Sequence, residues 1–390
     1  MDIHGADPFG FDTVDLSSLR QLRSMKWRAY PPDVLPAWVA EMDLGTAPAV
    51  VSALSEAVAR QDFGYAVDLQ APELTEAFCG FAARRFSWPV DPARVFLLRD
   101  VMRGLELWIE GFTRPGDGVV VTTPVYYPFL HAITEAGRVP VQVPAVCTSD
   151  RWELDLERLE ATFAAGNTLL LLCNPHNPVG RAYTRSELTA LAELTVRHDV
   201  RVVADEIHAP LVYAPAVHVP FVSLGAEVAS RTLTLHSASK AFNLAGLHAA
   251  VAVVGSAADG SHLESISYRR RGAAGILGIE ASVAAFTYGD EWLDALLVHL
   301  AGVRDHLGAE LAARVPGVSW FSPEATYLAW LDCSGLGLGP SPQSVFLEEG
   351  RVAFSDGVAF GDGGAGFVRL NFGTSRAILS ELVSRMVAAL

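Results

Sequence analysis

Ser237-Ala238-Ser239-Lys240-Ala241-Phe242-Asn243-Leu244-Ala245-Gly246-Leu247 carries one of only two lysines in a chain of 390 residues; the other is Lys26. Arginine supplies the cationic charge elsewhere. The stretch is apolar, rich in small residues, and follows a strand-like run at Thr232–Leu235. A surface lysine is easily exchanged for arginine. A lysine kept among apolar neighbours points to chemistry that needs an amine whose pKa can fall, which a guanidinium cannot supply. The chief use of such an amine is a Schiff base with a carbonyl compound. Taken alone, Lys240 is read as plainly as a lysine reaching outward from a helix end.

Working outward, short apolar runs alternate with helical segments. Val95–Leu98, Val119–Thr122, Val139–Val143, Leu169–Leu172, Val200–Ala204, Thr232–Leu235 and Ala249–Val254 read as strands. They are continuous rather than alternating, as expected when helices cover both sheet faces. Helices are expected over Pro48–Arg60 and Pro72–Phe86, and a capping box at Thr184–Glu187 opens one that runs to His198. This is an α/β pattern with a mostly parallel, seven-stranded sheet sandwiched by helices. From Glu291 onward the helices lengthen, and Thr326–Leu331, Val352–Phe354 and Gly366–Leu370 suggest a smaller α+β domain. The division expected is 46–285 for the large domain, with 1–45 and 286–390 forming the small one.

Composition narrows the function. Hydrophobic residues make up 51% and charged residues 19%, enough apolar content for a large core. A formal charge of −15 argues against nucleic acid or an anionic membrane surface as partner. Cys79, Cys147, Cys173 and Cys333 lack metal-ligand spacing and read as buried free thiols in a reducing compartment. The N-terminal residues show no basic region followed by an apolar one, so no signal peptide is expected. No run approaches the length of a membrane span. A soluble cytoplasmic protein is the expectation.

In an open α/β sheet, ligands bind beyond the carboxyl ends of the strands. Four chemically equipped segments follow such ends: Thr123-Pro124-Val125-Tyr126-Tyr127-Pro128, Cys173-Asn174-Pro175-His176-Asn177-Pro178, Asp205-Glu206-Ile207-His208, and His236-Ser237-Ala238-Ser239-Lys240. Singly, Asp205 reads as a helix cap, Tyr126 as core, and Asn177, Ser237 and Ser239 as turn residues. Together they are what pyridoxal 5'-phosphate requires. Its aldehyde needs a lysine, and its pyridine nitrogen needs a carboxylate to stay protonated as an electron sink. Its phenolic oxygen needs a donor and its ring a flat partner. Its phosphate needs hydroxyls and a helix N-terminus.

The runs Trp38-Val39-Ala40-Glu41-Met42-Asp43, Thr123–Phe129, Pro175–Arg181, Asp205–His208 and Ser237–Leu247 are similar to those of the MalY/PatB-type cystathionine β-lyases (C–S lyases). The chain thus resembles a fold-type I pyridoxal-phosphate enzyme of the class I/II aminotransferase superfamily, from Trp38 to Arg376. The resemblance implies that Lys240 forms the Schiff base and shuttles the Cα proton, and that Asp205 pairs with the pyridine nitrogen. It implies Asn177, with His208 nearby, at the phenolic oxygen, and Tyr126 stacked on the ring. Ser237, Ser239 and the backbone amides of Val101 and Met102 are expected at the phosphate, Ser239 being the residue that could serve only the turn. Tyr65 is expected to reach the neighbouring subunit's phosphate, which implies a homodimer with shared active sites. Arg376 is the expected clamp for the substrate carboxylate, Arg369 the alternative, and Tyr327 is expected on the substrate side. No metal is implied. Asp100 stands where the family usually has glycine, as a helix cap or as a carboxylate that weakens phosphate binding. Ala325 likewise stands where glycine is common. The implied reaction is β-elimination from cystathionine or another S-substituted cysteine, giving thiol, pyruvate and ammonia. An aminotransferase, a specialised eliminase or cyclase, and a binding or regulatory role on the same fold are the alternatives.

Overall fold

Continuous apolar runs build the central layer. In a computed structural model that describes residues 7–66 and 70–390, seven strands form one sheet. They are β1 (Val95–Leu98), β2 (Gly118–Thr123), β3 (Val139–Pro144), β4 (Leu169–Cys173), β5 (Arg201–Asp205), β6 (Thr232–His236) and β7 (Ala250–Val253). The spatial order is β1-β7-β6-β5-β4-β2-β3, with only β7 antiparallel to its neighbours. All seven expected strands are present, with no end shifted by more than one residue. Met1–Ala6, part of the stretch in which no signal peptide is expected, lie outside the described residues.

Both sheet faces are covered. Leu169, Leu171, Val203, Leu233 and Leu235 pack on one side with Leu105, Trp108 and Ile133. Leu170, Leu172, Val202 and Ala204 pack on the other with Leu159, Leu188 and Leu191. Successive strand residues point to opposite faces, so a strand buried on both must be apolar throughout. Between β5 and its neighbours the register sets Cys173 opposite Asp205 and Asp205 opposite Leu235. The residues following β4, β5 and β6 therefore emerge side by side at one edge.

The expected helices span Pro48–Ala59 and Pro72–Phe86, and Thr184 and Glu187 form the capping box of Arg185–Arg197. A second, three-stranded antiparallel sheet joins Leu328–Asp332, Phe367–Asn371 and Ser355–Asp356, with Phe367–Asn371 in the middle. The 25-residue helix Asp290–Arg314 accompanies it, together with the helix Arg376–Ala388. One apolar cluster runs from Phe78, Phe81 and Phe242 through Phe286 and Trp292 to Leu328 and Leu379, so the core is continuous across residue 285. Of the four free cysteines, Cys173 and Cys333 are buried, but Cys79 is half-buried and Cys147 exposed, so burial of all four thiols does not hold. Among the described residues no helix is long and apolar enough to cross a membrane.

The helix Val101–Phe112 lies close against the sheet because Gly104 has no side chain. A Cβ there would come within 2.6 Å of Leu235 Cδ2 and 2.7 Å of Leu98 Cδ1. Overpacking of this kind costs about 1–3 kcal/mol. Gly104→Ala is expected to lower the urea midpoint accordingly, and an unchanged midpoint would show that the helix shifts freely.

Candidate active site

Lys240, Asp205, Asn177, His208, Tyr126, Ser237, Ser239, Val101 and Met102 all line one cavity of about 180 Å³ at the carboxyl ends of the strands. Sequence reasoning missed Ala40, Arg99, Cys173, His248 and Ala249 in the same wall.

Lys240 is half-buried, its open side on the cavity, and its Nζ donates to the Ala40 carbonyl at 2.8 Å. Burial and, after it, the Arg369 charge lower its pKa to about 8, against the opposing pull of Asp205 and Glu41. Asp205 is buried, and its Oδ1 accepts from the Ile207 N–H at 3.1 Å. Burial raises its pKa to about 7. Next to it, Glu206 faces a separate buried group: its Oε2 lies 3.0 Å from His218 Nε2 and 3.2 Å from His236 Nε2, and its Oε1 accepts from the Phe221 N–H at 2.8 Å. His208 is buried with Nδ1 unpartnered among the described residues, and burial lowers its pKa to about 3, so its imidazole is neutral. Burial pushes the Tyr126 phenol up to about 12.

The two serines divide their work differently from expectation. Ser237 Oγ donates to the Ala249 carbonyl at 2.7 Å and accepts from the Ser239 N–H at 3.1 Å, so it holds the turn. The Ser239 hydroxyl has no partner among the described residues and is the freer of the two. Asp100 is a helix cap: its Oδ1 accepts from the Arg103 N–H at 2.8 Å. That leaves the Val101 and Met102 amides, at the first turn of a 12-residue helix, open to an anion.

The expected arginine clamp is corrected. Arg376 is the first residue of the last helix and pairs with Asp12 through its side chain, while its backbone N–H donates to Asp12 Oδ1 at 3.0 Å. Neither it nor Arg369 lines the cavity directly, but Arg369 bonds Asn177 in the cavity wall and Arg376 bonds no lining residue. Arg369 is the buried arginine, on the middle strand of the small sheet at 2% exposure. Its Nη1 donates to Asn177 Oδ1 at 3.0 Å and its Nη2 to the Trp38 carbonyl at 2.7 Å and Ser355 Oγ at 3.1 Å. Its Nε has no partner, and no carboxylate pairs with it among the described residues. A buried guanidinium so placed attracts an anion. Tyr327 is also displaced from its expected place: it is fully buried, its hydroxyl donates to the Ala40 carbonyl at 2.9 Å, and it does not touch the cavity. Tyr65 is 97% exposed and does not line the cavity of its own chain.

A strap of irregular backbone, Trp38–Asp43, joins these groups. Its Val39 carbonyl accepts from Asn371 Nδ2 at 2.7 Å, and its Glu41 carbonyl from the same amide at 2.6 Å. Asn243, three residues after Lys240, donates Nδ2 to the Met42 carbonyl at 3.1 Å and accepts from the Met42 N–H at 3.0 Å. Asn243 has φ 57°, a left-handed conformation that asparagine tolerates.

A lysine of pKa about 8 rather than 10.5 has a nucleophilic amine in mildly alkaline solution. In cofactor-free protein, capture of an aldehyde by Lys240, trapped with borohydride, is expected to quicken as pH rises and to level off above about 8. A profile still climbing to pH 10 would contradict the assignment.

The class I and II aminotransferase family model matches residues 39–386. The cystathionine β-lyase of Corynebacterium glutamicum is 39% identical over 96% of this chain and 99% of its own length. The cystathionine β-lyase PatB of Bacillus subtilis is 37% identical over 92% of this chain and 93% of its own. In structure, the pyridoxal-phosphate-bound C–S lyase of Staphylococcus hominis superposes with a TM-score of 0.89 at 26% identity, covering 97% of this chain and 98% of that one. The strand-end cavity, the lysine on its wall and these likenesses along nearly the whole sequence converge: the chain belongs to the class I and II aminotransferase family.

Proposed function

We propose that this chain is a pyridoxal-phosphate-dependent carbon–sulfur β-lyase, acting on cystathionine or other S-substituted cysteines to give thiol, pyruvate and ammonia. The observation that carries it is Arg369, a buried cation without an acidic partner among the described residues, which lies behind the cavity wall and bonds Asn177, a wall residue alongside Lys240 and Asp205. The relatives named as cystathionine β-lyases and C–S lyase support the choice of reaction.

The residues fit the cofactor. Asp205 is a buried carboxylate with a raised pKa, so it favours a proton shared with a ring nitrogen. The free Ser239 hydroxyl and the Val101 and Met102 amides suit a phosphate. The cofactor, when bound, supplies the aldehyde and the electron sink. Lys240 would bind that aldehyde and, when a substrate amine takes its place, would accept the proton from Cα and hand it to the leaving sulfur. Arg369 orients the substrate by a two-pronged grip on its α-carboxylate. Asn177, held by Arg369, directs its amide to the phenolic oxygen, and the neutral His208 stands beside it. Tyr126 lies against the ring. Tyr65, exposed on its own chain, would complete the phosphate site of a second copy in a homodimer.

Purified protein loaded with cofactor and given an S-alkylcysteine, without any keto acid, is expected to release pyruvate and thiol in equal amounts. Dependence on a keto acid, with no pyruvate formed in its absence, would mark a transaminase instead. Lys240→Ala is expected to reduce turnover by about 10²–10⁴-fold, the span of a lost general base. Arg369→Leu is expected to raise KM for the amino acid about tenfold or more, since a charge-assisted pair of hydrogen bonds is removed. Arg376→Leu should leave KM unchanged, and the reverse ranking of the two arginines would restore Arg376 as the clamp.

A further inference from the structure

Both lysines of the chain grip the same strap. Lys240 holds the Ala40 carbonyl, and Lys26 donates to the Glu41 carbonyl at 3.1 Å. Lys26 also pairs with Asp43 Oδ1 at 2.8 Å, with the two side chains 1% and 3% exposed. Trp27 Nε1 donates to that same oxygen at 2.9 Å, and the Asp43 N–H donates to the Gly373 carbonyl at 2.8 Å.

Stability alone does not account for such a pair. Removing two charges from water costs about as much as their attraction returns, and well-packed apolar side chains often do as well or better. Nor is Lys26 a generic cation, because the chain uses arginine for every other cation except Lys240. A compact ammonium can meet a carboxylate and a carbonyl at one point, as Lys26 does, whereas arginine presents its donors in a broader planar fork. Asp43 stands three residues from Ala40 in a segment that belongs to no helix or strand. The Ala40 carbonyl is the group that meets the Lys240 amine, and the Tyr327 hydroxyl approaches the same oxygen from the small sheet. Movement of the strap would therefore change what the amine is bonded to.

We propose that Lys26 and Asp43 are a positioning pair for the reaction: they fix the Trp38–Asp43 strap so that the Ala40 carbonyl is presented to the Lys240 amine. This rests on Lys240 being the reacting amine. It adds a requirement on residues that touch neither substrate nor cofactor.

The test is the double variant Lys26→Met/Asp43→Asn, which deletes both charges and keeps an acceptor for Trp27, beside Trp27→Phe, which removes one hydrogen bond from Asp43 without stranding a charge. Each is compared with the native chain in melting temperature, in the pH profile of pyridoxal-phosphate capture by cofactor-free protein, and in kcat and KM for an S-alkylcysteine. The double variant is expected to fold and to lose about tenfold in kcat, the scale of a small misplacement of a reacting group. Its KM is expected to stay within about twofold, because Arg369, though it also bonds the Trp38 end of the strap, is held by Asn177 and Ser355 as well. The midpoint of capture should move to lower pH, since the charged amine loses its acceptor. Trp27→Phe should move both readouts the same way by less, and it decides the matter if the double variant does not fold. Native kcat and native midpoint in the variants, or a fall in melting temperature alone, would reduce the pair to a structural role and overturn the proposal. If the native chain itself captures no cofactor on Lys240, the assignment of Lys240 fails first, and that shows without any variant.

Discussion

Enclosure of a lysine and an aspartate at the ends of neighbouring strands is the constraint on which the site depends. Desolvation penalises the charged form of each, lowering the Lys240 pKa to about 8 and raising that of Asp205 to about 7. Neither is satisfied by the protein alone. Asp205 accepts one backbone N–H, and Lys240 gives one hydrogen bond to a carbonyl. Arg369 completes the pattern as a third ionisable group enclosed without an ionic partner. Such groups mark a place where a bound molecule can answer them: the large sheet carries Lys240 and Asp205 to the cavity wall, and Arg369, on the small sheet, reaches that wall through its bond to Asn177.

The framework was legible because its physics is local. Seven apolar runs became seven strands, since a strand buried on both faces has no polar position to interrupt it. The capping box at Thr184 and the proline at Pro72 marked helix starts for equally local reasons. The strand-end groups were legible too, because the parallel register carries every residue after β4, β5 and β6 to the same edge.

The small sheet was harder to read. Arg369 and Arg376 are seven residues apart, and spacing alone does not say which one turns inward. The signal was present in Phe367-Val368-Arg369-Leu370-Asn371: Val368 and Leu370 enter the core, so Arg369 and Asn371 must share the other face, turned toward Asn177 and the strap. Ser375 caps the following helix, which leaves Arg376 in its first turn beside Asp12. The strap itself could not be foreseen. Its shape is set by side chains from residues 26, 243, 327, 369 and 371, and nothing within its own sequence announces them.

Lysine usage leaves one more mark on the molecule. Lys26 is enclosed and Lys240 is half-buried on the cavity wall, so arginine supplies the strong side-chain cations of the remaining surface. Acylating, glycating or cross-linking agents that seek lysine have no decoy on the exterior. In most proteins such reagents scatter over dozens of positions; here lysine labelling becomes a gauge of how open the cavity is, readable from the mass of a single peptide.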